Sequence, residues 1–199
     1  MSDRFEGLKK IPEVPAARLL AGTNLKLDTK LESPASAGVS VVLAELASHE
    51  AAIDMIKLIA ASLPPREAVW WGCLAMRDVL GPDVKPTPCL KAAEAWVFKP
   101  SEETQAAAHR ASEAANPTDD SSIVATMAVF GQGTLGPGDL KEHPAPDGAV
   151  AAMAAGVNLM ALEALGGDLH DAVDYLIDRA LDIARGGNGM IERKAGAEA

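Results

Sequence analysis

Residues 124–138 read VATMAVFGQGTLGPG, an apolar run that passes straight into a G-x-G-x-x-G pattern made by Gly131, Gly133 and Gly136. Two folds compete for it. As a strand and glycine turn it would open a βαβ dinucleotide-binding unit, whereas as a helix followed by a loop it belongs to an all-α protein. A dinucleotide turn needs a strand before the glycines and a helix that begins inside the fingerprint, so that helix N-terminal amides face the pyrophosphate. Here Gly136 is followed by Pro-Gly-Asp-Leu-Lys-Glu-His-Pro-Ala-Pro, and Pro144 and Pro146 leave no room for that helix. The preceding run is rich in alanine and methionine and opens with Thr118-Asp-Asp-Ser-Ser, which is helix-start chemistry. A glycine pattern without its βαβ context is a weak signal. The stretch therefore reads as a helix with Gly131 as its C-cap, opening a long surface loop. If that loop is only a connector, Gly133→Ala should leave folding nearly unchanged.

Composition agrees. Of the 199 residues 48% are hydrophobic, enough for a substantial core, yet aromatics make up only 4%. Apolar content drawn mainly from alanine, leucine, valine, isoleucine and methionine favours helix packing over sheets. The expectation is an all-α protein of about seven helices, in an irregular bundle or a short helical-repeat-like array.

Working outward, residues 1–37 are weakly periodic, interrupted by Pro12, Pro15 and Pro34. They form an irregular, partly ordered N-terminal arm that can dock through Leu19, Leu20, Leu25 and Leu27. Residues 38–187 form a single helical domain. From Val39 to Leu63 the positions Val42, Leu46, Ile53, Ile56 and Leu63 recur at helical spacing and predict one helix, stopped by Pro64-Pro65. Pro65 then opens REAVWWGCLAMRDVL, whose middle from Val69 to Met76 is apolar all round, as in a buried central helix. Further helices are expected over 87–98, over 101–115 with Ser101 as N-cap, and over 118–130. A Gly/Pro loop follows at 131–148, then helices at about 149–165 and 168–185. The last has the clearest stripe, namely Leu169, Val173, Leu176, Ile177, Ala180, Leu181 and Ala184, closed by Gly186-Gly187. Residues 188–199 are polar and read as a disordered tail.

Charge narrows the partners. With 28 acidic against 18 basic residues the formal net charge is −10, which repels phosphate backbones and argues against nucleic acid. No apolar run approaches the roughly 20 residues of a membrane span, and MSDRFEGLKKIPEV lacks a signal-peptide core. Cys73 and Cys89 sit on apolar helical stretches and read as reduced core thiols, so a cytoplasmic setting is expected.

Candidate chemistry is sparse. Asp168, Asp171, Asp174, Asp178 and Asp182 line one side of the last helix, and His170 stands four residues before Asp174, a spacing that can share a metal. A bundle metal site needs a facing set such as Glu-x-x-His, and the chain contains none. The aspartates read as a solvated acidic face, with no metal and no cofactor expected. Cys73 lies in an apolar helix, whereas Cys89, after Pro88 near a helix start, is placed for a lowered pKa. His49, His109, His143 and His170 lie in unrelated contexts, so no catalytic residue is assigned. All three tryptophans fall in two consecutive helices. Trp70 and Trp71 point about 100° apart, so one can plug the core while the other caps a second helix or lines a groove. Arg66, four before Trp70, is placed for a cation–π contact. Arg66, Trp70, Trp71 and Trp96 are therefore the candidate residues for binding a protein partner, with core anchoring as the plainer alternative.

The same segments carry a resemblance. LPPREAVWWGCLAMRDVL (63–80), KAAEAWVFKPSEETQAAAHRASEAA (91–115) and DRALDIARGGN (178–188) are similar to an uncharacterised bacterial family of about this length. Its members share LPP-x-E-A-V-x-W, E-A-W-V-x-x-P-x-E-x-x-R, a loop of G-x-L plus prolines, and A-x-D-I-A-R-G. The resemblance covers most of residues 60–188. It departs at Gln105 to Ala108, where arginines are common in the family, and leaves out the arm. It brings no activity and no functional residue. Proteins of this kind occur beside type VI secretion components, which implies an accessory role. The expected function is a non-catalytic protein–protein interaction or accessory module, possible also as a homo-oligomer. The alternative is a small-molecule or metal-dependent enzyme with a site assembled from dispersed residues.

Overall fold

Six consecutive residues, Trp71 to Met76, are buried, so the helix that carries them is covered on every side. A helix whose apolar residues run all round must sit inside its neighbours. The computed structural model describes residues 2–193. Its elements are α1 (Ala16–Thr23), α2 (Val39–Ser48), α3 (Ala52–Ser62), α4 (Pro65–Leu80), α5 (Pro88–Phe98), α6 (Glu102–Glu113), α7 (Ser122–Gly131), α8 (Ala149–Leu165) and α9 (Leu169–Arg185). Short 3-10 turns lie at Ser2–Phe5 and Gly138–Glu142.

Among the described residues the regular structure is helical, and extended pairing is confined to two isolated bridges, Pro15–Gly38 and Thr134–Pro144. The all-α expectation holds, with nine α-helices among the described residues rather than about seven. One extra helix is α1, in the arm. The other comes from the expected helix at 39–63, which is broken at His49-Glu50-Ala51. There the Ala51 amide bonds to the Leu46 carbonyl (2.9 Å) and the Glu50 amide to that of Ala47 (3.1 Å). These are the two bonds of a Schellman motif, with Glu50 at φ +54° in the position glycine usually takes.

α4 and α8 form the central pair. The buried face of α8 is mostly alanine (Ala151, Ala154, Ala155 and Ala161), which lets the two backbones approach closely. α3 and α7 cover α8, while α5, α7 and α9 cover α4. On the α7 side a Cβ at Gly72 would lie 2.9 Å from Met127 Cε, so the Met127 side chain packs directly on this glycine.

The glycines of the opening stretch serve packing and turns. α7 is a helix, as expected. Gly131 is its last residue rather than a left-handed cap, and a Cβ there would meet Trp96 Cη2 at 2.6 Å. Gly133 stands at φ +91°, so its replacement by alanine is strained, contrary to the expectation of neutrality. The loop beyond is pinned by the buried Gln105, whose Nε2 donates to Val129 O (2.9 Å) and Thr134 Oγ1 (3.0 Å).

The arm docks. Phe5, Ile11 and Ala16 are buried, and Leu19, Leu20, Leu25 and Leu27 pack against the core. The buried Asp54 carboxylate fastens the stretch after α1, accepting from the Asp28 and Thr29 amides (2.9 and 2.7 Å) and from Lys57 Nζ (3.1 Å).

In α9 the stripe from Val173 to Ala184 is buried, but Leu169, at 67% exposed, faces solvent. The opposite, acidic side receives the start of the described chain and the stretch that follows α9. Arg4 reaches Asp174 (2.9 Å) and Asp178 (2.8 Å), and the Lys10 amide donates to Ala184 O (2.9 Å). After α9, residues 188–193 fold back along it, where an undocked tail was expected. Asp182 Oδ2 accepts the Gly189 amide (2.8 Å), and Arg193 donates to Leu165 O (2.8 Å). The rest of that expected tail, 194–199, lies outside the described residues.

Candidate docking cleft

The three tryptophans separate by environment. Trp71 is 0% exposed and its Nε1 donates to Leu176 O of α9 (3.1 Å). Trp96 is 2% exposed, lies over Gly131 and donates to Gln132 Oε1 (3.0 Å). Both are core side chains, which removes Trp71 and Trp96 from the candidate partner residues. Trp70 is half-buried, and its Nε1 donates to Asn188 O (2.7 Å). The expected division between adjacent positions is therefore observed, with Trp71 inward and Trp70 at the surface.

Trp70 meets Phe98, with ring centroids 5.7 Å apart and planes at 59°, a tilted arrangement favoured by the ring quadrupoles. Phe98 is 70% exposed. It is the last residue of α5, which turns Trp96 and Val97 into the core. Pro100 disfavours helical backbone at Lys99 (φ −143°, ψ 80°), so the helix stops with Phe98 at the rim. Together the two rings wall a cleft of about 160 Å³, closed by Val97, Ile183 and Asn188 and edged by Lys10, Arg66 and Glu67.

The polar rim is ordered. Arg66 does not stack on Trp70. Its Nε donates to Val97 O (2.6 Å), tying the start of α4 to the end of α5. Lys10 of the arm pairs with Glu67 at 2.8 Å. Arg66 itself is exposed and forms no ion pair among the described residues. The cleft thus combines an aromatic floor with a cationic edge.

Sequence reading located Arg66 and Trp70, but it missed Phe98, Lys10 and Asn188. The Phe98 signal was present in Phe-Lys-Pro, where a proline two residues on ends the helix before the aromatic can turn inward. Lys10 and Asn188 arrive from distant parts of the chain and leave no local mark.

The remaining candidates are dispersed. His170 Nε2 lies 3.6 Å from Asp174 Oδ2, but that carboxylate is also bound by Arg4, and among the described residues no three His, Cys, Asp or Glu side chains converge to hold a metal. Burial pushes both thiols up, most strongly at Cys73. For Cys89 this reverses the expected lowering. It is 1% exposed, its Sγ donates to Ala111 O (3.3 Å), and Asp119 adds to the upward shift. Larger clefts, of about 530 Å³ between the arm loop and the start of α2 and about 440 Å³ beside the glycine loop, have neither histidine nor cysteine in their walls. No helix of the described residues is long and apolar enough to cross a membrane.

Neither the curated proteins nor the solved structures contain a match to this chain. A model described as a family of unknown function (DUF6931) matches residues 42–184, from α2 to the end of α9, and the chain belongs to that family.

Proposed function

We propose that this protein is a non-catalytic interaction module, an adaptor or accessory component whose protein partner docks on the Trp70–Phe98 cleft. The observation that carries the reading is Phe98, 70% exposed beside a second aromatic and an exposed arginine. Leaving a phenylalanine in water forgoes about 1.5–3 kcal/mol of burial free energy, which a partner can recover on binding. Aromatic and arginine side chains are the residue types that dominate binding energy at interfaces. The chemistry of the cleft suits an apolar anchor with a carboxylate next to it, the first for the two rings and the second for Arg66. The resemblance to proteins found beside type VI secretion components supports reading it as a cytoplasmic accessory component of a bacterial secretion apparatus.

The test uses the affinity-tagged full chain, isolated from its native host. It should retain a stoichiometric protein that both Phe98→Ala and Arg66→Glu lose, while melting stays within about 2 °C of the parent for the exposed Phe98 and within about 6 °C for Arg66, which gives up its bond to Val97 O. Retention of the same protein by both variants would overturn the assignment of the cleft.

A further inference from the structure

The chain after α9 behaves like a docked peptide. Gly186, at φ +104°, closes the helix, and the backbone then reverses along the α9 surface. Asn188 O accepts the Trp70 indole N–H (2.7 Å), and the Gly189 amide donates to Asp182 Oδ2 (2.8 Å). Four residues later Arg193 reaches the last carbonyls of α8, donating to Leu165 O (2.8 Å) and Gly166 O (2.7 Å).

Two features of this contact point beyond a structural clamp. The first is the slot beneath Gly189. A Cβ at this residue would lie 2.8 Å from both Ile183 Cδ1 and Leu74 Cδ1, and its backbone stands at φ +70°, so tight packing and conformation both favour glycine in the slot. The second is how little the segment buries. Met190 is 62% exposed, Asn188 and Glu192 are exposed, and Ile191 is only partly covered, so main-chain hydrogen bonds and Arg193 do most of the holding. Segments with few buried apolar contacts open at low free-energy cost without global unfolding. Opening here would bare Leu74 and Ile183, 5% and 1% exposed with the segment in place, together with the Trp70 N–H. That surface is continuous with the Phe98 cleft, because Gly187, Asn188 and Ile183 line both.

We infer that the slot over Ile183 and Leu74 extends the docking cleft into a groove for an extended peptide, and that residues 187–193 are its resident, displaceable occupant. The occupant it would take from another protein is defined by the one in place. It carries glycine at the slot, a carbonyl one residue earlier for Trp70, and an arginine four residues later for the end of α8. The inference rests on the interaction role proposed above and supplies its regulation: a partner must compete with the chain's own segment, which lies beside the groove at high effective concentration.

The experiment uses the full chain and two variants that loosen the segment without altering the groove, Gly189→Val and Arg193→Ala. The probe is a fluorescently labelled peptide, GGNGMIER, the sequence of residues 186–193. Both variants should retain parental helicity and bind the peptide at least about tenfold more tightly than the parent, because the competing segment is released. A peptide carrying valine in place of its third glycine should not bind. Equal binding to parent and variants, or none to either variant, would overturn the inference. Loss of helicity in both variants would make the segment a clamp and do the same. A dimer of the variants by light scattering would assign the groove to a second copy, also against it. Peptide binding without any Phe98-dependent partner would sink the interaction role alone. A Phe98-dependent partner without peptide binding would sink only the groove.

Discussion

Truncation of Trp71 is the sharpest perturbation of the fold. The side chain is 0% exposed at the middle of α4, and its indole donates to Leu176 O across the α4–α9 interface. Trp71→Ala removes the buried ring, leaves a cavity between these helices and deletes that hydrogen bond. Large-to-alanine changes of this kind cost about 3–5 kcal/mol, a large share of the roughly 5–15 kcal/mol that stabilises a typical domain. For a chain of this length each kcal/mol corresponds to about 2–4 °C in melting temperature, so the expected drop is about 6–20 °C. Urea denaturation followed by far-UV circular dichroism should show the midpoint falling with an unchanged slope, the signature of lost stability without a changed unfolded state. Phe98→Ala is the internal control, because its ring is mostly in water and its truncation should move the midpoint little. A Trp71→Ala protein that melts within about 3 °C of the parent would refute the placement of α4 at the centre of the core.

Gly131→Ala forces a Cβ against the Trp96 ring and should cost about 1–3 kcal/mol by overpacking, read as a lower urea midpoint; an unchanged midpoint would show that Trp96 does not pack there. Glu50→Gly relieves a left-handed non-glycine residue and should stabilise by about 0.5–1 kcal/mol after the added unfolded-state entropy is deducted, and a lower melting temperature would contradict it. At Asp54 burial works against the charge, but bonds from Thr29, Asp28 and Lys57 outweigh it and hold the carboxyl below its usual range. The resulting stability is therefore complete above the ordinary aspartate pKa of about 3.9 and is lost as pH falls through the lowered value. Asp54→Asn should cost about 1–2 kcal/mol at neutral pH and flatten the acid loss between about pH 5 and 2; parallel acid curves for the two proteins would refute this.

Much of the fold is legible in local chemistry. α9 could be placed because a periodic run lies between two glycine pairs, α8 because an alanine-rich apolar run lies between the Gly/Pro loop and Gly166-Gly167, and α4 because Pro65 and Gly81 bracket an apolar middle. The break between α2 and α3 could not, since a glutamate adopts the left-handed turn that glycine or asparagine would have announced. The acidic side of α9 read as solvated because its partners are remote in sequence: Arg4 stands 174 residues from Asp178. The cleft was half legible for the same reason. Arg66 and Trp70 share one face of α4 by spacing, while its other walls come from the arm, the end of α5 and the chain beyond α9.

The docking claim is tested most directly by a photo-crosslinking residue placed at position 98 of the full chain in its native host. Phe98 and Leu169 are comparably exposed, at 70% and 67%, so position 169 is the matched control. Position 98 should yield one discrete protein adduct that Arg66→Glu abolishes, and position 169 should not yield it. The same adducts from both positions, or an adduct at 98 indifferent to Arg66→Glu, would contradict the cleft as the docking site.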